Sequence, residues 1–125
     1  SHLAWYNRGC LLSSRRDPRA LETFDRALAL DPRHEAAWAA KGVLLSELGH
    51  DTEGIACLDE AIRLAPAEPR NWYNKGNALS GLGRMEEALA ATAGNQTRAA
   101  AFLGMPRRTF VAKLKQYEID RRRGD

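Results

Sequence analysis

Trp38-Ala-Ala-Lys-Gly-Val-Leu-Leu-Ser-Glu-Leu-Gly49 is the stretch that decides how this chain folds. Its large apolar groups recur at helical spacing and give one buried stripe. Gly42, four residues after the tryptophan, leaves room for a neighbouring helix to come close. Gly49 ends the helix, and the next one restarts beyond it. The same marks stand on either side. Trp5, Trp38 and Trp72 lie 33 and 34 residues apart. Each is followed four positions later by a glycine (Gly9, Gly42, Gly76) and then by Leu12, Leu45 or Leu79. Gly83 repeats the turn signal of Gly49. A small-large-small set follows in the first two units, Ala20, Phe24 and Ala27, then Gly54, Leu58 and Ala61. Pro32 and Pro66 close those units, because proline lacks the N–H that a continuing helix needs. A fixed period of this length predicts stacked helical hairpins, with the three tryptophans in the core.

These residues resemble the tetratricopeptide repeat family over residues 3–93, in units of about 3–33, 35–68 and 69–93. The first unit is one residue short, in the Ser13–Pro18 hairpin loop, where Pro18 suits the first turn of the next helix. The resemblance implies a right-handed stack of hairpins whose concave face binds an extended peptide or a partner helix. Its inward positions fall on Tyr6, Asn7 and Cys10, on Ala39, Val43 and Ser46, and on Tyr73, Asn77 and Ser80. The middle set is small and mostly apolar, which argues against a basic clamp for a peptide's terminal carboxylate.

The pattern breaks in the third unit. Thr92 stands where Phe24 and Leu58 stood, Asn95 where Ala27 and Ala61 stood, and no closing proline arrives. Gly94 ends the helix, and Asn95 suits the cap of another. The chain then reads Gly94-Asn-Gln-Thr-Arg-Ala-Ala-Ala-Phe-Leu-Gly-Met-Pro-Arg-Arg-Thr-Phe-Val-Ala-Lys-Leu-Lys-Gln-Tyr117. This is a short helix, a turn at Gly104 and a second helix whose first turn is basic. Ala99, Ala100 and Leu103 form the inner face of one helix; Phe110, Leu114 and Tyr117 form that of the other.

This stretch resembles the Fis-type helix-turn-helix, also found at the carboxyl end of NtrC-type transcriptional regulators, over about residues 84–120. The resemblance implies duplex DNA as a partner, with the second helix as the recognition helix. Arg107 is the expected base reader, since a guanidinium pairs bidentately with guanine. Arg108, Lys113 and Lys115 face outward beside it. Asn95, Gln96, Thr97, Arg98 and Thr109 are expected on the DNA backbone. Ala112 and Glu118 depart from the family's usual basic residue and glycine and weaken the expected grip. Fis-type elements are preceded by two helices that form a homodimer, and residues 70–82 and 84–93 would take those places.

Bulk properties agree. The chain has 125 residues, 44% hydrophobic and 28% charged, which is ordinary for a globular protein. No apolar run approaches a membrane span and no secretory signal opens the chain. Residues 1–94 hold 11 Lys and Arg against 13 Asp and Glu, a balance of −2. Residues 95–125 hold 8 against 3, a balance of +5. An acidic body with a basic end suits a polyanion-binding element, and residues 121–125 add a basic tail. Cys10 and Cys57 are read as small buried apolar residues in a reducing cytoplasm. Ser1-His2 reads as a tag remnant, and the start within a repeat predicts an excised fragment. Without a phosphate loop or paired Cys/His spacing, no enzyme, cofactor or metal is expected. The all-α expectation is thus a repeat array continuing into a helix-turn-helix. The function the resemblance implies is a DNA-binding regulatory module, and the rival is a pure protein-interaction adaptor whose last helices cap the array.

Overall fold

The computed structural model describes the backbone of residues 1–124 and the side chains through Ile119, together with Arg122. The basic tail expected at 121–125 therefore lies largely outside the described residues. Among the described residues seven helices follow one another: α1 (His2–Ser14), α2 (Ala20–Leu30), α3 (Glu35–Glu47), α4 (Asp51–Leu64), α5 (Pro69–Ala91), α6 (Gln96–Phe102) and α7 (Arg107–Gly124). The fold is all-α, with tetratricopeptide-like hairpins running on into a helix-turn-helix.

The first two hairpins form as the glycine spacing demands. A Cβ placed on Gly9 would lie 2.6 Å from the Phe24 ring, and one on Gly42 would lie 2.8 Å from Leu58 Cγ and 2.9 Å from the Gly54 carbonyl. The second helix of each hairpin thus seats its one large residue in the hole left by the first helix's glycine. Phe24, Leu58, Ala27 and Ala61 are all fully buried as a result. Successive units repeat their finer bonds. Trp38 Nε1 donates to the Pro32 carbonyl at 2.7 Å, and Trp72 Nε1 donates to the Pro66 carbonyl at 3.1 Å. Lys41 pairs with Asp25 and Lys75 with Asp59, each at 2.7 Å. Pro18 sits in the turn ahead of α2 rather than in its first turn.

The third hairpin does not form. Gly81, Gly83 and Arg84 lie inside α5, which runs unbroken for 23 residues where two helices, 70–82 and 84–93, were expected. Three substitutions account for the difference. In the second unit Gly49 takes φ +91° and Asp51 Oδ1 accepts a 2.6 Å hydrogen bond from Ser46, tying the end of α3 to the start of α4. The position matching Asp51 is Met85, which offers no such acceptor. Thr92 replaces the large residue that would fill the glycine hole, and Asn95 is spent on capping α6. Met85 is instead buried with Ala88 in a second core, against Ala99, Ala100, Phe110, Leu114 and Tyr117. One straight helix therefore serves two modules. Its first half packs on α3 and α4, and its second half is the base of the helix-turn-helix.

A side chain pays for this arrangement: Trp72, expected in the core with its two counterparts, is 53% exposed, and Leu79 is 48% exposed. No second helix comes back to cover them. Trp5 and Trp38, in the completed hairpins, are only partly exposed. Cys57 is buried, while Cys10 is half-buried on the concave side; both are free thiols.

Candidate nucleic-acid interface and peptide groove

The turn from α5 into α6 is made by two left-handed residues, Ala93 (φ +52°) and Gly94 (φ +81°). Asn95 then caps α6, its Oδ1 accepting from the Arg98 N–H at 2.9 Å. Gly104 takes φ +69°, and the Met105 N–H bonds back to the Ala100 carbonyl at 3.0 Å, closing α6 before α7 begins. The left-handed turn expected at Gly104 is therefore present. Phe110 is completely buried, and Leu114 and Tyr117 nearly so. The Tyr117 hydroxyl donates to Glu86 on α5, tying the middle of α7 to the long helix.

At about 100° per residue, the α7 face opposite this stripe carries Arg108, Ala112 and Lys115. All three are exposed, as are Arg107 and Thr109 in the first turn and Thr97 and Arg98 on α6. Arg98, Arg107, Arg108 and Lys115 form no ion pair with any described residue. Gln96 is half-buried, and the Asn95 side chain is engaged as a cap. Lys113 does not join the outward set. It is half-buried, and its Cγ lies 3.2 Å from where a Cβ on Gly49 would stand, so it packs on the turn between α3 and α4. No local pattern signals this, because the contact depends on how α7 seats against the second hairpin. Arg108 rather than Arg107 stands at the centre of the outward face; the helical register of the buried stripe could have shown it.

The concave side holds a cavity of about 580 Å³ between α1 and α5 over α3. Of the nine inward positions, Tyr6, Cys10, Ala39 and Val43 line it. The other five do not. Asn7 is exposed outside it, and Ser46 is turned toward Asp51 and a smaller cavity of about 220 Å³ beside Lys113. Tyr73, Asn77 and Ser80 lie exposed on α5 and look away, because no further helix stands beyond α5 to close a groove around them. In their place α5 contributes Arg70, Asn71 and Asn74. Asn71 is almost completely buried and donates to Glu35 at 2.7 Å. Glu35, Glu47 and Glu68 outnumber Arg70 along the wall. Burial raises the pKa of the Tyr6 hydroxyl above its ordinary value, with Cys10 beside it adding to the effect, so the phenol stays neutral at physiological pH.

Two family models match these regions. Residues 35–68 and 69–91 match the tetratricopeptide repeat, and residues 83–117 match the family described as bacterial regulatory protein, Fis family. The chain joins tetratricopeptide repeats to a Fis-family helix-turn-helix. No curated protein matches it. The two matches overlap over residues 83–91, within the half of α5 that the second core has claimed. The Fis-family element thus borrows a helix from the last repeat, and the hairpin that the repeat would have made is lost. Among the described residues no helix is long and apolar enough to cross a membrane.

Proposed function

We propose that the chain is a cytoplasmic DNA-binding regulatory module, in which the Fis-family element docks α7 on duplex DNA and the repeats receive a protein partner. The observation that carries the reading is the outward face of α7. Arg108 and Lys115 are exposed there, and Arg107 is exposed at the helix's first turn, all without ion-pair partners among the described residues, while the buried stripe on the other side fixes the helix in place. Cations left unpaired on one face are suited to phosphates, whose counterions they displace. Residues near the amino end of a recognition helix reach base edges, which gives Arg107 and Arg108 that role. Thr97, Arg98, Thr109 and Lys115 would hold the DNA backbone, with Asn95 and Gln96 contributing through the cap. Ala112, between Arg108 and Lys115, leaves a gap in the basic face and lowers the affinity. Reading two half-sites takes two recognition helices, so the proposal includes a homodimer. The reading assigns the chain no catalysis and no cofactor.

The repeats supply the second partner. The cavity between α1 and α5 is mildly acidic and roofed by small groups, which favours a neutral or basic peptide over one with a free carboxylate. The competing reading, an adaptor that never touches DNA, draws on this cavity alone.

A titration of duplex DNA against the chain at several salt concentrations separates the two. The module predicts affinity that falls steeply between about 50 and 200 mM salt. Arg107→Ala and Arg108→Ala should each cost about 1–3 kcal/mol of binding. Equal and negligible binding by wild type and both variants at the lowest salt would leave only the adaptor.

A further inference from the structure

The first two hairpins show what a Trp-Gly-Leu stripe is for. In each, a helix running back antiparallel lays a large residue over the glycine, so tightly that a Cβ there would stand within 3 Å of it. In the third unit the stripe is complete, but no described residue covers it. A Cβ on Gly76 or on Gly83 would meet no atom within 4 Å, and Trp72 and Leu79 stand about half exposed beside those openings. The chain's own candidate for the missing helix is engaged elsewhere, since Met85 and Ala88 are buried in the second core.

The stripe has a property its counterparts never use. Read along α5 it is large, small, large, small: Trp72, Gly76, Leu79, Gly83, at spacings of four, three and four. Reversed, the spacing is the same. An antiparallel copy of α5 therefore sets Leu79 of each chain over Gly76 of the other, and Trp72 over Gly83. Every large group meets a hole, which is the self-complementarity that a twofold interface requires. The leucine-over-glycine contact is the one that Leu58 makes with Gly42 inside the second hairpin.

We propose that the uncovered stripe Trp72-Gly76-Leu79-Gly83 of α5 binds the same stripe of a second copy of this chain, completing across the twofold axis the hairpin that the third repeat leaves open. This names the surface for the homodimer of the functional reading. The surface lies in the repeat half of α5, upstream of the recognition helices. Pairing there needs no DNA, so it is measured without DNA, and its failure leaves the DNA titration to stand or fall by itself.

Gly76 makes the test clean. A side chain at that position has open space in the single chain but fills the hole in the pair. Sedimentation equilibrium of the full chain, carried up to about 1 mM so that weak pairing is populated, should show a concentration-dependent doubling of the 13.9 kDa mass. Gly76→Leu should weaken the pairing at least about a hundredfold, with unchanged helicity and an unfolding midpoint no lower when dilute. The double swap Gly76→Leu with Leu79→Gly exchanges large for small on both sides of the axis and leaves the glycine content of the helix unchanged. It should restore the pair. A wild-type chain that stays at single mass throughout overturns the proposal, and the stripe then belongs to a foreign helix or to the chain's own 85–92 folded back. A dimer untouched by Gly76→Leu overturns it equally, by placing the interface elsewhere. A Gly76→Leu monomer that the double swap fails to rescue overturns the antiparallel register.

Discussion

Gly42 and Gly76 occupy the same place in two consecutive repeats, and the molecule treats them oppositely. Around Gly42 a second helix presses so close that no side chain fits; around Gly76 there is open solvent. The local sequences give little reason for the difference. Both glycines follow a tryptophan by four, both precede a leucine by three, and both helices reach a Leu-Gly pair where a turn should come. What separates them lies downstream, in what the following ten residues have to pack against. After Gly49, Gly54 and Leu58 turn back onto Gly42 of α3. After Gly83, Met85 and Ala88 have a second core within reach, and they are buried in it from an unbroken helix.

Breaking the capture tests this account most severely. Phe110 is the largest fully buried side chain of the second core. Phe110→Ala should cost about 3–5 kcal/mol through lost burial and a residual cavity. The loss should fall on α6, α7 and the second half of α5, while the first two hairpins keep their protection from amide exchange. Uniform loss of protection along the whole chain would mean that the two cores are one cooperative unit.

The two glycines can be set against each other directly. Gly42→Ala forces a methyl to within 2.8 Å of Leu58 and 2.9 Å of the Gly54 carbonyl. A backbone oxygen cannot step aside as a flexible side chain can, so the cost should reach the upper part of the about 1–3 kcal/mol seen for overpacking. Gly76→Ala, measured in dilute solution, adds a methyl where there is space and improves a helix interior. It should stabilise the chain by up to about 1 kcal/mol. Denaturant midpoints of the two variants should therefore move in opposite directions. Movement in the same direction would show that α5 is covered in solution by something that the single chain does not display.

Much of this could be read before any coordinates. The Trp-Gly-Leu period marked the first two hairpins because each of those contacts is local to one repeat. The stripe of Phe110, Leu114 and Tyr117 and the left-handed turn at Gly104 were legible for the same reason. The open third hairpin was not, because Leu82-Gly83-Arg84 reads as a turn until Met85 is known to have another home. The site suffered in the same way. Arg108 on the outward face follows from register, but Lys113 on the Gly49 turn depends on how two modules meet. Tyr73, Asn77 and Ser80 fell outside the groove because α5 is its last wall.

The smallest expected effect concerns how each unit restarts its second helix. In the first unit Asp17 does the work. It accepts from the Arg19 backbone N–H at 2.9 Å and pairs with the same residue's guanidinium at 2.8 Å. The Arg19 side chain and then its backbone N–H hold the carboxyl down at about 2, well below its ordinary 3.8. A depressed folded-state pKa means stabilisation that is fully present above the unfolded value and is lost as pH falls through the folded one. Asp17→Asn keeps an oxygen to receive the backbone N–H and removes only the charge. Asp17 is partly exposed and its partner Arg19 is exposed, so solvent screens the pair and the difference should be small. Urea midpoints of wild type and Asp17→Asn should differ slightly at neutral pH and converge as the pH falls from about 4 toward about 2. A gap that persists at the acid end would mean that the carboxylate's charge has no part in the turn. The third unit, with Met85 where the second has Asp51, carries no such group at its would-be turn, and its helix runs straight on.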